Sequence, residues 1–196
     1  MKNIVINKNG KSCIVDIDSC QIGMLPCPIG FADFTPPELQ RIEFKKQLRT
    51  YYNESFSCAV LVFKLLFCGL HPYNQRFTEN TLEQNIMMLN FPYPQNIDGD
   101  FSKIPWGGYD EMWKHIPFQM QSFFYDIFKC GTRYSNLEMI LMMKTYNEFL
   151  DYKKEILDRK LIEVCRHFRI PGEYQFCEEI KVGNVNKTYK VTFEGE

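Results

Sequence analysis

The sequence predicts a mainly α fold with small β elements, and three stretches carry that expectation. Phe56, Ala59, Val60, Phe63, Leu66, Phe67 and Leu70 recur at helical spacing across 54–70, while Val60–Val62 and Leu65 fill most of the remaining circumference. A helix apolar nearly all round is expected to be buried, so this one is the expected centre of a helical bundle. KNIVIN and KSCIVD flank Asn9-Gly10 near the start of the chain, a strong hairpin signal. A second strand–turn–strand pattern occupies 173–196, with Gly183-Asn184-Val185-Asn186 at its turn.

The N-terminal hairpin folds the chain back, so that Asn3 and Asp16 can end near each other. Side-chain oxygens paired in this way suit a hard cation such as Mg²⁺ carrying substrate phosphates. Asp16 and Asp18 close an apolar strand, where two acids are costly unless they are solvated or meet a cation. Taken alone, Asn3 and Asp16 fit an ordinary surface hairpin equally well. Residues 19–39 read as a long loop, because Gly23, Pro26, Pro28, Gly30, Pro36 and Pro37 preclude regular structure. RIEFKKQLRTYYN, at 41–53, reads most simply as a solvated face or short helix, and otherwise as a docking surface for an acidic partner.

Gly69 and Pro72 are expected to stop the central helix. A short helix is expected within 78–90, capped by Thr78 or Asn80 with Glu83 as the capping partner. His71 reads as a structural turn residue, and the stretch around Trp106-Gly107-Gly108 as a loop. A helix over 117–129 carries Pro117 in its first turn and ends at Cys130-Gly131. Ser135 and Glu138 form a capping box for a helix over 136–150. A charged helix follows over 151–170, and the composition shift places a boundary near 151–157. The expected domains are 1–150, a helical linker at 151–172 and the C-terminal hairpin at 173–196.

With 196 residues, 45% hydrophobic and 24% charged, the chain can build one domain with a core and a small appendage. A net charge of −1 argues against a broad nucleic-acid surface. The longest apolar run, Cys58–Leu70, is interrupted by Lys64 and falls short of the roughly 20 residues a membrane helix needs. The 8 cysteines contain no CxxC pair, and no secretory signal opens the chain. Reduced thiols in a cytoplasmic protein, with no membrane and no nucleic-acid partner, are the expected setting.

Asn-Ile-Val-Ile, a hairpin, Ile-Val-Asp-Ile-Asp and then Pro-Pro-Glu, in that order and spacing, resemble the C-terminal lobe of a eukaryotic-type protein kinase domain (Ser/Thr-like, of an atypical bacterial kind) over residues 1–150. The resemblance implies that Asn3 and Asp16 hold Mg²⁺ with ATP, and that residues up to Pro36-Pro37-Glu38 form an activation segment. Gly30 matches the glycine that opens the substrate-positioning loop. Phe31 stands where such kinases carry Thr. Asp18 stands where they carry Gly, which implies a stiffer segment. Ser19 and Thr35 are candidate phosphorylation sites. Glu54 replaces the Asp that anchors the catalytic-loop backbone. Glu38 and Arg133 are expected to form a buried structural ion pair. Residues 173–196 resemble the nucleotide loop that opens aminoglycoside- and sugar-type phosphotransferases, which would make Gly183 and Asn184 nucleotide contacts; an ordinary hairpin fits them as well.

The glycine-rich loop, strand Lys, helix Glu and catalytic Asp of a kinase have no counterpart in the chain. The expectation is therefore a kinase-like fragment that transfers no phosphate alone. An N-lobe, in cis or from a partner polypeptide, would complete it, and a protein would be its substrate. The alternatives are a non-catalytic, pseudokinase-type interaction scaffold and a piece of a small-molecule kinase.

Overall fold

A computed structural model describes residues 3–16, 20–96, 98–180 and 188–194. They form two compact units, 1–142 and 143–196.

The first unit opens with the hairpin of β1 (Ile4–Ile6) and β2 (Ser12–Ile14), antiparallel with Ile4 opposite Ile14 and Ile6 opposite Ser12. Its turn is set by Asn7, whose side-chain oxygen accepts from the backbone N–H of Asn9 at 2.9 Å and of Lys11 at 3.0 Å. Gly10 follows at φ 74°, the left-handed region that glycine enters without steric cost. Residues 20–49 have no long element and contain short 3₁₀ turns at Ala32–Phe34, Pro37–Leu39 and Phe44–Lys46.

Helix α1 (Tyr51–Leu66) starts three residues earlier than the sequence suggests. Thr50 and Asn53 cap it reciprocally, and this side-chain satisfaction of the first free N–H groups decides the start. The helix is also less enclosed than its composition implies. Phe56, Ala59, Val60 and Phe63 are fully buried, whereas Leu65 is 67% exposed. One face therefore enters the core and the other stays at the surface.

Helix α2 (Leu82–Met87) is capped by Thr81 with Gln84, not by Thr78 or Asn80 with Glu83. Asn80 instead donates to the Asn85 side chain at 3.2 Å. The loop at Trp106-Gly107-Gly108 leads into α3 (Tyr109–His115), a helix absent from the sequence expectation. Helix α4 (Phe118–Phe128) follows Pro117 and ends where Gly131 turns at φ 77°. A side chain at Gly131 would meet Leu89 at 3.3 Å as well.

These elements enclose an aromatic core. Phe63 stacks on Phe67 at 4.2 Å between centroids and meets Tyr93, Phe124 and Phe128 edge-on at 5.1–5.8 Å. Edge-to-face pairs of this kind add to what area burial alone contributes. Tyr73 donates its hydroxyl to the Phe128 carbonyl at 2.8 Å, and Trp113 donates to the Pro94 carbonyl at 2.9 Å, so both polar tips are satisfied inside.

Helix α5 runs unbroken from Asn136 to His167, where the sequence suggests a break near 151–157. No Pro or Gly interrupts 136–167, so the change from apolar to charged composition alters which faces are solvated without ending the helix. Ser135 and Glu138 cap its start, with the Ser135 N–H donating to Glu138 at 2.7 Å. In the second unit, β3 (Glu173–Ile180) pairs antiparallel with β4 (Thr188–Glu194). Tyr174 donates its hydroxyl to Asp158 of α5, tying the hairpin to the helix. No described helix is long and apolar enough to cross a membrane.

Candidate functional site

The hairpin brings its two oxygen-bearing side chains together. The Val15 N–H donates to the Asn3 carbonyl at 2.9 Å, extending the ladder by one bond. The Asn3 amide nitrogen then donates to the Asp16 carboxylate at 3.3 Å. Both residues are exposed. Asp16 adopts φ 62°, a left-handed conformation that costs a non-glycine residue roughly 1–2 kcal/mol.

The donor set suits a hard cation: one carboxylate, plus an amide whose oxygen faces the same place once the group is rotated by half a turn. Among the described residues, no group of three or more His, Cys, Asp or Glu is placed to hold a metal. A cation here would thus take most of its ligands from phosphate and water, as Mg²⁺ commonly does. Asp18, in the segment that follows, lies outside the described residues, as do Ser19, Gly183 and Asn184.

The long loop is tied down in two places. Gln21 and Arg49 exchange hydrogen bonds between side chain and backbone at 3.0 and 2.8 Å. Arg49 also lies over the Phe44 ring at 4.5 Å and donates to the Ile29 carbonyl. Gly30 passes so close that a Cβ there would sit 2.6 Å from the Phe44 ring. Absence of a side chain is thus a packing requirement at Gly30. Glu54 faces Arg49 at 3.6 Å, an ionic partner in the loop before α1.

Beyond Gly30 the anchoring becomes dense. Phe31 is 73% exposed. Gln40 donates to the carbonyls of Ala32 and Thr35, each at 2.8 Å, and Ser57 of α1 donates to the Phe34 carbonyl at 2.6 Å. Lys64 pairs with Asp33 at 3.6 Å and lies over the Phe34 ring. Thr35 is buried and donates its hydroxyl to the Phe31 carbonyl at 2.9 Å, which withdraws it from any modifying enzyme in this conformation.

His71 holds the same stretch from below. Its Nε2 lies 2.7 Å from the Asp33 carbonyl, and its Nδ1 accepts the Tyr73 N–H at 3.2 Å. These two contacts fit a neutral ring that donates from Nε2. Burial lowers the His71 pKa to about 4, so the ring stays neutral at physiological pH.

Glu38 and Arg133 meet at 2.8 Å. Glu38 also accepts from the Asn53 side chain at 3.1 Å. Arg133 donates to the Gly131 and Thr132 carbonyls and lies 5.2 Å from the Phe56 ring centroid. The pair is not buried as the sequence reading has it: Arg133 is 13% exposed but Glu38 is 44% exposed. A rim carboxylate thus reaches an enclosed guanidinium.

Sequence reasoning missed most of these anchors. Gln21, Gln40, Arg49, Ser57 and Lys64 belong to no spacing pattern, because each acts on a backbone carbonyl or ring that no sequence repeat links to it.

No family model and no solved structure matches the chain. A 100-residue alignment is 35% identical to the protein kinase YegI of Escherichia coli O157:H7, covering 46% of this chain and 16% of that protein. The strain K12 protein of the same name aligns with 35% identity over 46% of this chain and 15% of its own length. The chain spans about a sixth of the length of these curated relatives. The likeness supports a kinase-like relationship, confined to that stretch.

Proposed function

We propose that residues 1–150 are the helical C-lobe of a protein-kinase-like phosphotransferase, with Asn3 and Asp16 as its metal-binding end. The observation that carries this reading is the approach of the Asn3 amide to the Asp16 carboxylate at 3.3 Å, with Asp16 at φ 62°. Strained backbone of this kind concentrates at functional sites. Bound Mg²⁺ would neutralise charge on the phosphates of ATP. Asp16 contributes its carboxylate to that cation, and Asn3 turns its amide oxygen toward it. The stretch from Gly30 to Glu38 then forms a fixed platform, held to α1 by Ser57 and Lys64 and to the turn after it by His71. Such a platform orients an acceptor, and orientation carries much of the rate in phosphoryl transfer. The catalytic base and the nucleotide-covering lobe are supplied by an N-lobe, in cis or from a partner polypeptide.

The test is transfer of the γ-phosphate of ATP, with Mg²⁺, by the protein encoded in the full reading frame around this chain. Asp16→Ala is expected to lower transfer about 100-fold, the effect of losing one electrostatic contact to the reacting group. Transfer unchanged by Asp16→Ala removes the metal role. If the wild type transfers nothing, the interaction-scaffold reading takes over. That alternative has its own support in Phe31, whose exposed ring offers no hydrogen bond where such kinases carry a hydroxyl.

A further inference from the structure

Helix α5 ends in a tight reversal that shapes a cavity inside the second unit. Arg169 sits at φ 53°, and the Ile170 N–H donates to the Cys165 carbonyl at 3.2 Å, closing the last turn. Gly172 follows at φ 101°, where a Cβ would lie 2.7 Å from the Glu194 carbonyl oxygen. Only glycine lets the start of β3 pass so close to the end of β4. The bond from Tyr174 to Asp158 then fixes β3 against the helix.

Between the helix end and the base of the hairpin lies a cavity of about 310 Å³. That is the lower end of the range of small-molecule sites, roughly 300–1,000 Å³. Ile162, Ile170 and Phe193 give it apolar walls, and Cys165, 7% exposed, lines it as well. Arg166 and Glu173 line the same cavity, and both are exposed. Neither makes an ion pair among the described residues, with the other or with a third group. Glu194, opposite Glu173 in the ladder, already accepts from the Gln175 side chain at 3.0 Å.

We propose that this cavity binds a small zwitterion with an apolar tail, of the class of the aliphatic α-amino acids. The ligand's carboxylate meets the Arg166 guanidinium and its ammonium meets the Glu173 carboxylate. Its side chain fills the space between Ile162, Ile170 and Phe193. Unpaired charges of opposite sign on one cavity favour a molecule that carries both. A simple anion is drawn by Arg166 but repelled by Glu173, and a simple cation the reverse. Covering the apolar walls adds to binding, Ile170 included, which is 45% exposed.

The experiment uses the whole chain with free leucine as the probe. Its comparators are isocaproate, isoamylamine and serine, which lack in turn the ammonium, the carboxylate and the apolar tail. Binding is followed by calorimetry, and its place by alkylation of the cysteines, read peptide by peptide in mass spectrometry. Leucine is expected to bind saturably, and about tenfold or more tightly than each comparator. It is expected to slow alkylation of Cys165 and to leave that of the exposed Cys58 unchanged. Arg166→Gln and Glu173→Gln, at exposed positions, are expected to keep the thermal midpoint and each to weaken leucine about tenfold. No binding of leucine overturns the proposal, as does a comparator that binds equally well. So does leucine binding that leaves Cys165 unprotected or survives either substitution, or a midpoint that falls with either one.

Discussion

Residues 30–40 and residues 3–16 both lie outside the helices, yet the fold holds them by opposite means. The first stretch is gripped from α1 and the turn after it: Ser57, Lys64 and His71 reach its backbone, side chains and rings across 23 to 38 residues of sequence. The second is a local hairpin whose strand residues are all exposed, closed by three registered pairs, the bonds to the Asn7 side chain at its turn and the Asn3–Asp16 bond at its open end. The platform is therefore built by folding of the helical unit. The hairpin end, where the metal is proposed to bind, is shaped mainly by its own turn chemistry. Changes to the first should cost stability, whereas changes to the second should be read in ligand binding.

The largest stability effect expected from that contrast is a dependence on pH through His71. Burial holds its pKa at about 4 in the folded chain, below the ordinary 6.5. The unfolded state then binds the proton first as pH falls. Stability from the neutral ring is complete above pH 6.5 and is lost as pH falls from about 6.5 to 4, roughly 3 kcal/mol in all. Urea unfolding across that window should show the slope in wild type and a clearly smaller one in His71→Gln. Equal slopes would mean that the ring is not held buried and neutral in the folded chain.

Glu38→Ala comes next. It removes the bonds to Arg133 and Asn53, but Arg133 keeps two carbonyl partners and the Phe56 ring. Losing a partner from a fully buried pair costs about 3–5 kcal/mol and an exposed pair contributes about 0–1 kcal/mol. With the carboxylate 44% exposed, roughly 1–2 kcal/mol is expected. The check is the thermal midpoint at low and high salt. A midpoint that does not move at either would show that the end of the segment is held without the pair.

The same contrast separates what the sequence disclosed from what it hid. The N-terminal hairpin was legible because Asn9-Gly10 and the flanking apolar runs are local signals. The cap of α5 was legible because Ser135 and Glu138 stand at a fixed spacing. The caps of α1 and α2 were not. Thr50 with Asn53 and Thr81 with Gln84 use the same geometry, but nearby Thr78 and Asn80 offered equal candidates. α3 was hidden behind two glycines and an aromatic loop, and the continuity of α5 behind a change of composition. At the candidate site, the approach of Asn3 to Asp16 was legible from the hairpin, whereas the Glu38–Arg133 pair was legible only through the order of motifs in a resemblance. His71, Gln40 and Ser57 hold backbone carbonyls, and a carbonyl leaves no trace in the sequence of its partner.

The smallest stability effect is expected at the other end of the comparison, at Asp16. Its φ of 62° carries strain that glycine relieves, while glycine also loses more chain entropy on folding. The two terms nearly cancel, so Asp16→Gly should change stability by no more than about 1 kcal/mol. Asp16 itself is exposed, so no buried side chain is lost. Loss of the carboxylate should nevertheless remove half of the paired donor set, and Mn²⁺ added with ATP to the full-frame protein reports it through the spin signal of the bound ion. A level midpoint together with weakened Mn²⁺ binding would place the strain at Asp16 in the service of the cation. A large fall in the midpoint would mean that the Asp16 carboxylate closes the hairpin through its bond with Asn3. In that case the pair is structural, and the contrast between a folded platform and a locally shaped metal end disappears.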